Sequence, residues 1–159
     1  MEEFLRSLIP ALPNLQVLIV GNSKSLKNVE VVGNYLDEFG GMGNFVSYEK
    51  IDADFTNVEL IDTVKEGDRI EFPTRGYEAL IILDVFEEMK DKKSFLRAYY
   101  HSLENSGNCF ILVDKEKLSF WDAKDVIEEA NFVAVNEIDL DERYYLISCK
   151  KMHGWGGGM

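Results

Sequence analysis

Glu78-Ala79-Leu80-Ile81-Ile82-Leu83-Asp84-Val85 is a short, almost wholly apolar run with an acid near its end. A strand covered on both faces reads as a continuous apolar run, whereas a half-exposed strand alternates. The pattern therefore predicts a central strand with Asp84 at its carboxyl end, where open α/β sheets bind ligands. Residues 87–103 follow with helical spacing. Gly107 then precedes a second apolar run, Cys109-Phe110-Ile111-Leu112-Val113, again ending in an acid, Asp114. Strand, helix, strand predicts a right-handed crossover between two parallel strands.

Around this centre the rest falls into place. Phe4, Leu5, Leu8, Ile9 and Leu12 have helical spacing, stopped near Pro10 and Pro13. Residues 15–20 predict a first strand, ending at Gly21-Asn22-Ser23-Lys24-Ser25. Strand, glycine, small polar residues and then a helix describe either an anion-favouring turn or an ordinary capped one. A helix is expected over 26–39, closed by the glycines at 40, 41 and 43. A second strand is expected over 44–51, with Glu49 and Asp52 at its end, and a third over 59–64. The stretch 52–66 is too short for a full crossover helix plus a strand, so this region reads as trimmed. A helix over 115–130 and two alternating strands, 132–138 and 143–149, close the chain as an antiparallel hairpin.

Composition narrows the function classes. A chain of 159 residues is one domain by size and holds a core without staples. Its net charge of -12 repels phosphate backbones and anionic lipid surfaces, which argues against nucleic-acid and membrane-surface binding. Cys109 and Cys149 lie inside apolar runs and read as core residues of a cytoplasmic protein, without the clustering of a metal or redox pair. No run approaches the roughly 20 apolar residues of a membrane span. Candidate chemistry is sparse: Glu87 and Glu88 after the central strand, Asp84 and Asp114 as a carboxylate pair of raised pKa, His101 as a surface residue, and a His153-Gly154-Trp155 segment that caps a pocket or stays mobile.

With these elements placed, the chain resembles a class I S-adenosylmethionine-dependent methyltransferase domain. Val17-Leu18-Ile19-Val20-Gly21-Asn22 stands where that family has its glycine-rich cofactor loop. Gly67-Asp68-Arg69-Ile70-Glu71-Phe72-Pro73 resembles its Gly-Asp-x-x-x-x-Pro segment, and Phe86-Glu87-Glu88 its Leu-Glu-His element. Leu103-Glu104-Asn105-Ser106-Gly107 resembles its Leu-Lys-Pro-Gly-Gly turn, and Ala130-Asn131-Phe132 its Ala-Gly-Phe. The resemblance implies a three-layer α/β sandwich: a doubly wound, mostly parallel sheet ending in an antiparallel hairpin. It implies one domain over 1–149 and a glycine-rich tail over 150–159. It further implies S-adenosylmethionine as cofactor, lying over Gly21, Asn22 and Ser23. Glu49 would face the ribose, Asp68 and Arg69 the adenine side, and Asp84 and Glu87 the methyl-acceptor side.

The sequence also departs from the family. Its loop carries one glycine where two or three are usual, and Lys24 brings a cation toward the sulfonium. No Asn-Pro-Pro-Tyr-like segment follows the central strand, and no substrate-binding insertion is visible. Two readings follow. One is a methyltransferase of unknown acceptor, in which Gly21→Val removes cofactor binding and leaves the fold. The other is a degenerate member that acts as a binding or assembly partner, alone or in an oligomer.

Overall fold

Alternation sorts the strand residues into two cores. The structure, a computed structural model, describes residues 2–9, 12–73 and 76–152. The His153-Gly154-Trp155 segment lies outside the described residues. Seven strands form one sheet: β1 (Gln16–Gly21), β2 (Met42–Ser47), β3 (Val58–Thr63), β4 (Tyr77–Leu83), β5 (Leu103–Asp114), β6 (Phe132–Asp139) and β7 (Tyr144–Lys151). Their spatial order is β3-β2-β1-β4-β5-β7-β6. β7 runs antiparallel to β5 and β6, and the other neighbours are parallel.

On one face Val17, Ile19, Ala79, Ile81 and Leu112 pack against α1 (Glu2–Leu8) and α2 (Leu26–Phe39). On the other, Leu18, Val20, Leu80, Ile82 and Ile111 meet α3 (Lys92–Tyr100) and α4 (Phe120–Glu129). This is the expected three-layer sandwich with its closing hairpin. β4 is central and covered on both faces, which is why its sequence does not alternate. Each fully buried aliphatic side chain there contributes about 1.5–3 kcal/mol.

The connections 48–57 and 64–76 form no helix among the described residues, and an aromatic loop takes the place of each. Phe55 packs edge-on against Phe45 at 6.0 Å, on the α2 side. Phe72 packs on Tyr77 at 6.3 Å and Tyr99 at 5.9 Å, on the α3 side. The trimmed middle is thus real, and it leaves β3 covered only by loops and the flank of α2.

Four extents differ from expectation. Residues 87–103 are not one helix: a 3-10 turn, Phe86–Glu88, precedes α3, and β5 already begins at Leu103. Asp91 starts α3 afresh by capping the Ser94 N–H at 3.0 Å, and Glu66 holds the break by accepting the Lys90 N–H at 3.1 Å and the Asp91 N–H at 2.8 Å. The Leu103–Gly107 turn is instead the irregular start of a strand, with Ser106 at φ 63°. Finally, β2 is Met42–Ser47, so Glu49 lies beyond the strand, and Lys150 and Lys151 continue β7 rather than open a tail.

Candidate functional site

The turn after β1 is closed on itself. Asn22 caps it, its Oδ1 accepting the Lys24 N–H at 2.9 Å. The Ser25 hydroxyl accepts the Asn22 N–H at 3.0 Å, and the Ser25 N–H reaches the Asn22 carbonyl at 3.0 Å. Ser25 Oγ donates in turn to Asp84 Oδ2 at 2.8 Å, and Asn22 Nδ2 donates to the Asp84 carbonyl at 3.3 Å. Asp84 holds a left-handed φ of 64° at the end of β4, where this network ties it.

Gly21 is required by this packing. A Cβ there would stand 2.4 Å from Ser25 Oγ and 2.8 Å from Ser25 Cβ. The expectation that Gly21→Val would spare the fold is therefore overturned, because Ser25 fills the space that the glycine leaves. Three N–H groups of the turn are likewise satisfied internally. The turn does not offer them to an anion as an open helix start would.

Beside the turn, Ser23 Oγ donates to Glu49 Oε2 at 3.0 Å across the exposed rim. The Tyr48 N–H donates to the Gly21 carbonyl at 2.8 Å. Tyr48 also lines a cavity of about 630 Å³ with Gly67, Asp68, Lys90, Ser94 and Phe95. The Tyr48 hydroxyl pairs at 2.6 Å with that of the buried Tyr99, and burial pushes Tyr48 up to about 12. Asp68 is fixed by accepting the Lys65 N–H at 2.8 Å, next to Gly67 at φ 93°.

Of the expected residues, Gly21, Asn22, Ser23, Glu49 and Asp84 thus come together at the turn, and Asp68 lines the adjoining cavity. Arg69 lines a different cavity of about 540 Å³, with Glu71, Phe72 and His101. Sequence reasoning missed Tyr48, although an aromatic residue directly before the acid at a strand end was a usable signal. It also missed Ser25, whose role depends on contacts with β4.

The ends of β4 and β5 enclose little space. Lys24, Asp84, Glu87, Asp114, Lys117 and Arg143 surround a cavity of about 20 Å³, room for about one water. Glu87 Oε2 accepts the Asp114 N–H at 2.7 Å, while Oε1 is buried without a hydrogen-bond partner. Burial raises the Glu87 carboxyl, and Asp84 and Glu88 add to the shift. Asp114 moves the other way. The Glu116 N–H at 3.0 Å, and then Arg143 at 3.4 Å, hold it below the ordinary carboxylate range. The expectation of a raised carboxylate thus fails at Asp114, which is held low, and a raised carboxyl of this cluster is Glu87. Among the described residues, no three His, Cys, Asp or Glu side chains are grouped to hold a metal ion, and no helix is long and apolar enough to cross a membrane.

Tested against S-adenosylmethionine, the residues fit one half of the molecule. A carboxylate at the rim (Glu49), a carboxylate inside a roomy cavity (Asp68) and an aromatic wall (Tyr48) suit the hydroxyls, amine and ring of a nucleoside. The amino-acid half meets a turn whose glycine space is filled by Ser25 and whose N–H groups are already paired.

No family model matches this sequence, and no curated protein matches it. Solved structures do. A SAM-dependent methyltransferase from Aquifex aeolicus superimposes with a TM-score of 0.76 at 13% identity, covering 94% of this chain and 88% of that one. A TehB-like SAM-dependent methyltransferase from Corynebacterium glutamicum gives a TM-score of 0.70 at 14% identity, covering 95% and 86%. A Haloferax volcanii methyltransferase in complex with the Trm112 methyltransferase activator gives 0.67 at 13%, covering 95% and 88%. At such identities the likeness shows the fold alone, and that fold is class I methyltransferase-like.

Proposed function

We propose that this methyltransferase-fold chain binds S-adenosylmethionine-type ligands mainly through their nucleoside half, and that its methyl-transfer activity is weak or absent. The observation that carries this reading is the 630 Å³ cavity lined by Tyr48 and Asp68, one residue from Glu49 at the carboxyl end of β2. Glu49 takes the ribose hydroxyls as donors, Asp68 the exocyclic amine of the base, and Tyr48 a face of the ring. Gly21, Asn22 and Asp84 shape the turn, and Arg69 faces away. When bound, S-adenosylmethionine supplies an electrophilic methyl group on a sulfonium.

The second reading, a binding partner without catalysis, would rest on one feature: the cavity at the carboxyl ends of β4 and β5 is only about 20 Å³. Calorimetric titration with S-adenosylmethionine, S-adenosylhomocysteine and adenosine separates the outcomes. Nucleoside-led binding predicts that all three bind within a few-fold of one another, tighter than about 100 μM, or on the order of 5–6 kcal/mol. Asp68→Ala should weaken each at least tenfold. S-adenosylmethionine binding a hundredfold tighter than adenosine would show that the turn opens to the amino-acid half. No heat with any of the three at millimolar concentration would refute the site.

A further inference from the structure

The cavity of about 540 Å³ at the carboxyl end of α3 has no part in the nucleoside site. Its size is that of a pocket for a small ligand. One wall is the segment Arg69-Ile70-Glu71-Phe72, and the other is Ala98, His101 and Ser102. Packing fixes both walls. Phe72 lies on Tyr77 at 6.3 Å and on Tyr99 at 5.9 Å. Ser102 is buried, and its hydroxyl donates to the Tyr99 carbonyl at 2.5 Å. The Ser102 carbonyl in turn accepts the Gly76 and Tyr77 N–H groups, each at 2.9 Å, with Gly76 at φ 77°. His101 caps α3 and stands edge-on to Tyr100 at 5.4 Å.

Charge says what fits there. Arg69 and Glu71 line the same cavity, yet neither has an ion-pair partner among the described residues. Two opposite charges left unpaired beside the apolar surface of Ile70 and Phe72 complement a molecule that carries both charges at one end and an apolar body at the other. A plain anion would meet Glu71 and the chain's net charge of -12, and a plain cation would meet Arg69. A zwitterion is neutral overall and avoids both repulsions.

We infer that this cavity binds a free amino acid with an aromatic or large aliphatic side chain. Arg69 takes the α-carboxylate with two N–H donors. Glu71 accepts from the α-ammonium, and the side chain lies against Phe72 and Ile70. His101 offers a further N–H to the carboxylate. Of the residues that line this cavity and the nucleoside one, only Ala98 is common to both, so the inference does not depend on nucleoside binding.

The test titrates the full ¹⁵N-labelled chain with L-phenylalanine. In parallel it uses phenylacetate, which lacks the ammonium, phenethylamine, which lacks the carboxylate, and glycine, which lacks the apolar body. Phenylalanine should give saturable amide shifts centred on residues 69–72 and 98–102, and each of the other three should bind at least about tenfold more weakly. Arg69→Gln and Glu71→Gln, with an unchanged spectrum elsewhere as the check on fold, should each weaken phenylalanine by a similar factor. Arg69→Gln should leave phenethylamine as it was. The inference is overturned by an absence of saturable shifts at tens of millimolar phenylalanine, by equal binding of all four compounds, or by phenylalanine binding unchanged in either variant. Shifts centred on Tyr48 and residues 90–95 would also overturn it, since they put the ligand in the nucleoside cavity.

Discussion

Alanine at Gly21 would set its Cβ 2.4 Å from Ser25 Oγ, 2.8 Å from Ser25 Cβ and 3.3 Å from the Leu83 carbonyl. Contacts under 3 Å are not tolerated, so Ser25 has to leave its place. Its departure breaks the bond from the Asn22 N–H at 3.0 Å and the bond to Asp84 Oδ2 at 2.8 Å. Overpacking a tight site costs about 1–3 kcal/mol, and each lost buried hydrogen bond adds about 1 kcal/mol. The total, roughly 3–5 kcal/mol, is a large part of the 5–15 kcal/mol typical of a domain. Urea unfolding should show the midpoint falling by about 1.5–2.5 M at an unchanged slope of about 2 kcal/mol/M. The same substitution in the Ser25→Gly background should cost under about 1 kcal/mol, because the clashing side chain is gone; the difference is a coupling energy. Two results refute the reasoning: a Gly21→Ala protein within 0.5 kcal/mol of wild type, or an equal cost in both backgrounds. Either would mean that the glycine is not held by Ser25 and that its space is free for a ligand.

Gly33 packs α2 onto the loop before β3, where a Cβ would stand 2.1 Å from the Thr56 carbonyl oxygen; Gly33→Ala should therefore lose 2 kcal/mol or more by denaturant unfolding, against the roughly 1 kcal/mol that helix propensity alone would gain. Tyr48→Phe should cost about 1–3 kcal/mol by stranding the buried Tyr99 hydroxyl, and Tyr48→Phe/Tyr99→Phe should cost less than that single change, as measured in the same unfolding series. Glu87 has a raised carboxyl in the folded state, so its contribution is fully present below the ordinary glutamate range and lost as pH rises through the folded value. Glu87→Gln should accordingly be more stable than wild type at pH 7 and lose that advantage by about pH 4; a constant difference across that range in urea titrations would show that Glu87 does not titrate abnormally.

Much of the architecture was legible because burial writes itself into residue pattern. The runs at 78–85 and 109–113 named the central strands, and Gly40 named the end of α2, where it sits at φ 71°. What was illegible depends on residues far apart in the chain. Near residue 90 the local signal is Asp91, which caps α3 through Ser94, but the hold that Glu66 adds comes from 24 and 25 residues away. The Leu-Glu-Asn-Ser-Gly segment has the composition of a turn, yet β4 recruits it as the bulged start of β5.

The site divides in the same way. Glu49 and the turn at Gly21 were read from their positions after strands, which topology constrains, whereas Asp68 came from the resemblance of residues 67–73 to the family's Gly-Asp-x-x-x-x-Pro segment. Adjacent Asp68 and Arg69 part company because the chain leaves the 65–68 turn between two cavities, a geometry that residue type does not encode. Ser25 reads as an ordinary small polar residue until its hydroxyl is seen 59 positions from its partner, Asp84. That one bond changes the meaning of the glycine. In sequence, a lone Gly21 suggests a weakened cofactor loop; in space, the side chain of Ser25 fills the room that the glycine leaves, and the cavity lined by Tyr48 and Asp68 lies beside the turn, lined by neither Gly21 nor Ser25. A substitution at Gly21 therefore tests the fold, and one at Asp68 tests the proposed ligand site.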